Sequence, residues 1–244
     1  MWLLTNRSVL LGSFWTIVTL LSSPNVQAAT IAWTDWQSGS VGKPGTASGL
    51  ITLSDASQIG VQYTGEILDL QTNGEFNYWN PATPYLSTTV ANAPPTSDII
   101  SLVGGNSIVN TLSFSQPITN PILAIVSLGS SIAQIPVRYQ FDAPFNILSS
   151  GQGYWGEGPF SKLPGNVLEG IEGHGSIQFS GTYSTISWTV PTAETWHGFT
   201  LGTALELRNN SPTSVPESTS FLSVITMGML SLTAVRKRKQ QRNC

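Results

Sequence analysis

Cysteine is almost missing from this chain: the single one, Cys244, is its final residue. No disulfide can therefore staple the body. A cysteine nucleophile, a thiolate metal site and an iron–sulfur cluster are excluded there as well. Charge is scarce, at 9% of residues, and unevenly placed. Arg7 stands near the start and Arg236, Lys237, Arg238, Lys239 and Arg242 crowd the end. Between residues 29 and 215 only Lys43, Arg138, Lys162 and Arg208 face twelve acidic residues, a net charge of −8. Nucleic acid, which needs the opposite sign, is excluded as a partner. The same stretch lacks a sustained helical repeat of apolar residues and any internal repeat.

Catalytic and metal motifs are equally thin. His174 and His197 are 23 residues apart with neither an HExxH pattern nor a cysteine between them. No Gly-x-Ser-x-Gly elbow is present to support a serine hydrolase. Glu157, Glu169 and Glu172 lie in a glycine-rich stretch that offers a carboxylate pair of the kind glycoside hydrolysis uses, although no motif fixes their geometry. The sequence calls for no cofactor. The one exception is calcium, for which Asp35, Asp55, Asp69 and Asp98 in or near loops offer hard oxygen ligands without an EF-hand pattern.

What the body does have is period-two alternation. Val137, Tyr139 and Phe141 share one face of a strand while Arg138, Gln140 and Asp142 take the other. Ile186, Trp188 and Val190 alternate with Ser187 and Thr189, which makes Trp188 a core residue. Turn signals punctuate these runs: Asn73-Gly74 predicts a hairpin between 66–71 and 75–79, Gly104-Gly105-Asn106 separates 99–103 from 107–115, and Gly181 joins the two halves of a hairpin over 176–190. Further strands are expected at 48–53, 59–63, 121–128, 135–142 and 197–207, with looser stretches at 80–97 and 150–175. The expected class is all-β: a single antiparallel β-sandwich, jelly-roll-like, over 29–208.

Six tryptophans lie in this body. Rings left outside the alternating runs are candidates for stacking on the C–H faces of sugars, and Trp79 (beside Tyr78), Tyr154, Trp155 and Trp196 are those aromatics. A carbohydrate is the ligand they suggest.

The two ends carry an address. Arg7 precedes an apolar run from about Val9 to Leu21, and small residues flank a cut between Ala28 and Ala29, so residues 1–28 read as a secretory signal peptide. At the other end a polar linker, 209–214, leads to Val215, Pro216, Glu217 and Ser218, an apolar run over 221–235, and the basic cluster Arg236, Lys237, Arg238 and Lys239. As a helix the fifteen residues of this run, which include Ser223, Thr226, Gly228, Ser231 and Thr233, reach about 22 Å, against a hydrocarbon core of about 30 Å, which suits a transient anchor. The basic cluster acts as a membrane stop that stays cytoplasmic and leaves the body outside.

Residues 215–240 resemble the PEP-CTERM sorting signal of exopolysaccharide-producing bacteria, cyanobacteria among them, with Ser218 where the usual motif has a second proline. The resemblance covers about thirty residues, roughly an eighth of the chain. It implies a membrane-embedded exosortase-like partner that recognises Val215 to Ser218 and removes the tail. It also implies transient residence in the inner membrane, then a place at the cell surface or in the extracellular, biofilm-type matrix. For the body three readings stand: a non-enzymatic surface or matrix protein first, then a carbohydrate-binding module, then a glycoside hydrolase or lyase.

Overall fold

A computed structural model describes residues 27–74, 76–95 and 98–206. The signal-peptide run, Arg208, the linker, the sorting motif, the apolar run and the basic cluster lie outside the described residues. No helix of the described residues is long and apolar enough to cross a membrane.

The described residues form fifteen strands and one 3₁₀ turn at Thr83–Tyr85. The first five strands are β1 (Ile31–Trp33), β2 (Asp35–Ser40), β3 (Gly42–Thr52), β4 (Gln58–Ile67) and β5 (Asp69–Gln71). Next come β6 (Ile99–Leu102), β7 (Asn110–Thr119), β8 (Ile122–Leu128), β9 (Val137–Phe141) and β10 (Phe145–Ser150). The last are β11 (Phe160–Leu163), β12 (Val167–Gly170), β13 (Gly173–Phe179), β14 (Thr182–Thr189) and β15 (His197–Ala204). They make two antiparallel sheets. One runs β10-β13-β8-β15-β6-β5, with β1 also paired to β15; the other runs β11-β12-β9-β14-β7-β4-β3-β2. The expected all-β sandwich is the architecture found.

Alternation identifies strands with one wet face. In β9 Val137, Tyr139 and Phe141 are buried while Arg138 and Gln140 are exposed, and in β14 Ile186 and Trp188 point into the core. The central strands behave differently. Every residue of β8 is buried, because the two faces of its sheet pack against different things. Leu123 and Ile125 enter the main core between the sheets, whereas Ile122, Ala124 and Val126 enter a second apolar cluster with Ile31, Trp33, Trp79, Tyr85, Val90 and Ile99. The segment between β5 and β6 supplies Trp79, Tyr85 and Val90 and so covers the outer face of the sheet. A strand covered on both faces reads as a continuous apolar run.

Several turn readings are corrected. The Asn73-Gly74 hairpin does not form: β5 pairs with β6 through Asp69↔Ser101, and 76–79 is not a strand. Asn77 Oδ1 instead accepts the Trp79 N–H at 3.1 Å, a side-chain turn that competes with a strand ladder. Gly181 links β13 and β14, but these belong to opposite sheets, as do β6 and β7 on either side of Gly104-Gly105. These glycine turns are arches between layers, not hairpins. A true hairpin joins β3 and β4, where Asp55 Oδ1 accepts both the N–H and the hydroxyl of Ser57 and Leu53 N–H bonds Ser57 O. The first strands, β1 and β2, escape the pattern reading, and the 150–175 stretch holds β11 and β12 in addition to loop.

Candidate functional site

Three separate segments bring aromatic rings to one place on the surface. The first follows β5 and carries Phe76 and Tyr78. The second lies between β10 and β11 and carries Tyr154 and Trp155. The third precedes β15 and carries Trp196. Tyr78 sits at the centre: its ring centroid is 5.2 Å from Tyr154, 5.1 Å from Trp155 and 4.9 Å from Trp196. Tyr78 and Trp155 are nearly parallel, 24° apart, while Trp155 meets Trp196 and Tyr154 edge-on at 4.7 Å. Phe76 adds an outer ring 6.0 Å from Tyr78. Trp155 keeps 47% of its surface exposed, Tyr154 44% and Phe76 60%, whereas Tyr78 and Trp196 are half-buried supports.

Local chemistry explains why the second segment presents its rings outward. Gln152 and Glu157 form an antiparallel bridge, and Gly153 N–H donates to Gly156 O at 2.8 Å, so Tyr154 and Trp155 are the two residues at the tip of a tight turn. Gln152 and Glu157 are both exposed and directly opposite each other at the base of this turn, which places an amide and a carboxylate on one face. Glycine is required at 153 by proximity: a Cβ there would lie 2.1 Å from the His174 ring. At 158 a Cβ would lie 1.9 Å from Ile171 O. The loop therefore rests directly on the stretch from Ile171 to His174.

That floor is polar and buried. Glu172 accepts the Ser127 hydroxyl at 2.5 Å and the N–H and hydroxyl of Ser131 at 3.4 and 3.2 Å. Ser127 N–H donates to His174 Nδ1 at 3.2 Å, which leaves the proton of a neutral imidazole on Nε2, 3.9 Å from Glu172 Oε1 and without a hydrogen-bond partner. Burial pushes the His174 imidazole down to about 4, against the pull of the Glu172 carboxylate. Ser127 and Glu172 both adopt positive φ, 59° and 65°, at the bulge where β8 and β13 change register.

The chain just before Trp196 is fixed at Glu194. The Glu194 carboxylate accepts the Gly129 N–H at 2.8 Å, and its backbone N–H donates to Val103 O at 2.9 Å. His197 Nδ1 is 2.8 Å from the same carboxylate, but the approach is out of line for a hydrogen bond, so we regard it as a close polar contact.

Of the aromatics expected to bind, Tyr154, Trp155 and Trp196 come together. Trp79 does not join them: it is 2% exposed and packs edge-on to Tyr85 at 5.1 Å in the second cluster. The turn at Asn77 points Tyr78 toward the rings and Trp79 into the sheet, so Tyr78 takes the place expected of its neighbour. Phe76 is the aromatic that pattern reading missed, since it was assigned to a strand that does not form. Trp188 is core, as expected.

Of the acidic candidates, Glu169 on β12 is paired with Arg138, 2.7 Å away, Glu172 accepts from Ser127 and Ser131, and Glu157 is exposed on the loop that rests against Glu172. Asp55 caps the β3–β4 turn, Asp98 accepts the Trp36 N–H at 2.8 Å, Asp35 accepts from Gln37 and Asp69 lies on β5. Among the described residues no group of three or more His, Cys, Asp or Glu side chains is placed to hold a metal ion. Ala29, just after the expected cut, is already tied to the body, donating to Thr89 O and accepting from Ala91 N–H. Compared with known proteins, the chain matches no family model, no curated protein and no solved structure.

Proposed function

We propose that this is an exported, non-enzymatic surface or matrix protein whose body docks on extracellular polysaccharide through the Tyr78, Tyr154, Trp155 and Trp196 platform. The observation that carries the docking is the outward-facing turn Gly153–Gly156, which leaves two large rings nearly half exposed on a loop whose base sets an exposed amide opposite an exposed carboxylate. Burying a ring of this size inside is the cheaper arrangement for folding alone. Sugars present apolar C–H faces rimmed by hydroxyls, and rings beside an amide and a carboxylate complement both parts of that surface.

Export rests on the sequence of the ends. The leader-like run over 1–28, with Ala29 the first of the described residues hydrogen-bonded into the body, supports cleavage between Ala28 and Ala29. The resemblance of 215–240 to a PEP-CTERM signal supports transient anchoring by 221–235, recognition of Val215 to Ser218 by an exosortase-like enzyme, and release to the cell surface or matrix. We read the body as jelly-roll-like from its strand order: β6-β15-β8-β13 in one sheet faces β7-β14-β9-β12 in the other, with successive strands crossing between layers.

The docking is tested by co-sedimentation of the full-length chain with insoluble polysaccharides, cellulose and chitin among them. Wild-type protein pellets with at least one of them. Trp155→Ala weakens that binding by about ten-fold or more, the scale of one lost stacking anchor. Equal pelleting of the two proteins refutes the assignment.

A further inference from the structure

We propose that the platform takes an uncharged glycan and discriminates against chains bearing carboxylates or sulfates. The inference rests on the docking reading above and names its ligand class.

Charge decides it. The ring-bearing segments 76–79, 152–157 and 194–196 contain neither lysine nor arginine. The three described cations are all engaged. Lys43 is paired with Glu66 at 2.8 Å and Arg138 with Glu169 at 2.7 Å; Lys162 donates to Phe145 O and lies over the Phe145 ring. An anionic sugar seated on the rings would meet the exposed Glu157 carboxylate and the field of a body at −8.

Ring geometry argues against a cation as the preferred ligand. Aromatic cages for ammonium groups surround a gap, whereas the rings around Tyr78 and Trp155 are in mutual contact, with centroids 4.7–5.2 Å apart. They leave no room for an ammonium between them and present outer faces instead. Of the two carboxylates in these segments, Glu194 is buried on Gly129 N–H, which leaves Glu157 to accept sugar hydroxyls alongside the Gln152 amide. Uncharged pyranoses match this set: apolar faces for the rings, hydroxyls for the exposed Gln152 and Glu157 at the base of the turn.

The experiment is a competition at low and high salt. Full-length protein and its Trp155→Ala variant are bound to an insoluble neutral polysaccharide and displaced by soluble oligomers: a neutral glucan, an N-acetylglucosamine oligomer, a galacturonate oligomer, dextran sulfate and an ammonium-bearing glucosamine oligomer. At least one neutral oligomer should displace the wild type with a midpoint that salt hardly moves. The anionic oligomers should need about ten-fold more at low salt, with the gap narrowing as salt screens the repulsion. Anionic or cationic oligomers that compete as well as the neutral ones at low salt, through a site abolished by Trp155→Ala, overturn the ligand class and leave the docking reading intact. No binding by any polysaccharide, or binding unchanged in Trp155→Ala, overturns both.

Discussion

At the residue scale the two kinds of tryptophan make opposite demands. Trp79 is enclosed by Tyr85 and its neighbours in the second cluster, and truncating it removes a large buried side chain and leaves a void. Trp79→Ala should cost about 3–5 kcal/mol of stability. Trp155, half in water, should cost under about 1 kcal/mol when changed to alanine, the range of surface positions. Denaturant unfolding of both variants checks the contrast; equal losses would mean that Trp155 is a packing residue. Sequence alone separates the surface rings Tyr154, Trp155 and Trp196 from Trp188, because Trp188 sits in an alternating run. It did not separate Tyr78 from Trp79, since adjacent aromatics in a loop have no periodicity to assign them faces. A side-chain turn at Asn77, visible only once folded, makes that assignment.

At the element scale the loop from Gly151 to Gly158 depends on the buried histidine beneath it. His174 titrates near 6.5 when unfolded and about 4 when folded, so the unfolded state binds the proton more readily between those values. Its share of stability is intact above pH 6.5, declines as pH falls toward 4, and is lost by about 2–4 kcal/mol below that. The charged group facing the imidazole is Glu172 on the same strand edge; β8 contributes the Ser127 N–H, and the covering loop contributes Gly153. Unfolding measured across this window should be flatter in His174→Gln than in wild type, and an identical pH profile would show that the histidine is not the sensor. Glu66 is a carboxylate that weakens in acid for the opposite reason. Burial raises it, but hydrogen bonds from Lys43, Asn106 and Gly104, with the Lys43 charge, hold it below the ordinary carboxylate value. Its contribution is present above that value and lost as pH falls through the lowered one.

The legibility of elements followed their solvation. β9 and β14 were readable because one face is wet and one dry. β8 was readable as a buried run. β2, with Gln37, Ser38, Gly39 and Ser40 exposed, has no apolar face to betray it, and β11 and β12 are short strands among glycines and prolines. The Asn73-Gly74 signal failed for a tertiary reason: Asp69–Gln71 finds its partner in β6, in the other sheet from β4, and no second strand remains to close a hairpin.

At the scale of the whole molecule, two dry layers explain how a disulfide-free domain holds together. The main core fills the space between the sheets, and Trp79, Tyr85 and Val90 from the segment between β5 and β6 close a second one with residues of β1, β6 and β8. That covering segment and the 151–158 loop bring the aromatic platform to the surface, so the second core and the proposed docking surface share the same outer layer. The proposed export and sorting signals at the two ends make a separate prediction about processing. Intact mass of the protein recovered from its native cell surface should correspond to a chain starting at Ala29 and lacking Arg236 to Lys239. Recovery with the basic cluster retained would make the tail a lasting anchor.

The most direct test of the platform is an NMR titration that follows the indole N–H resonances, assigned by single Trp→Phe variants, as a neutral oligosaccharide is added to the full-length protein. The signals of Trp155 and Trp196 should move together and saturate, while those of the buried Trp36, Trp79 and Trp188 stay in place. Binding that shifts none of the platform signals, or that moves the buried ones instead, would contradict the account.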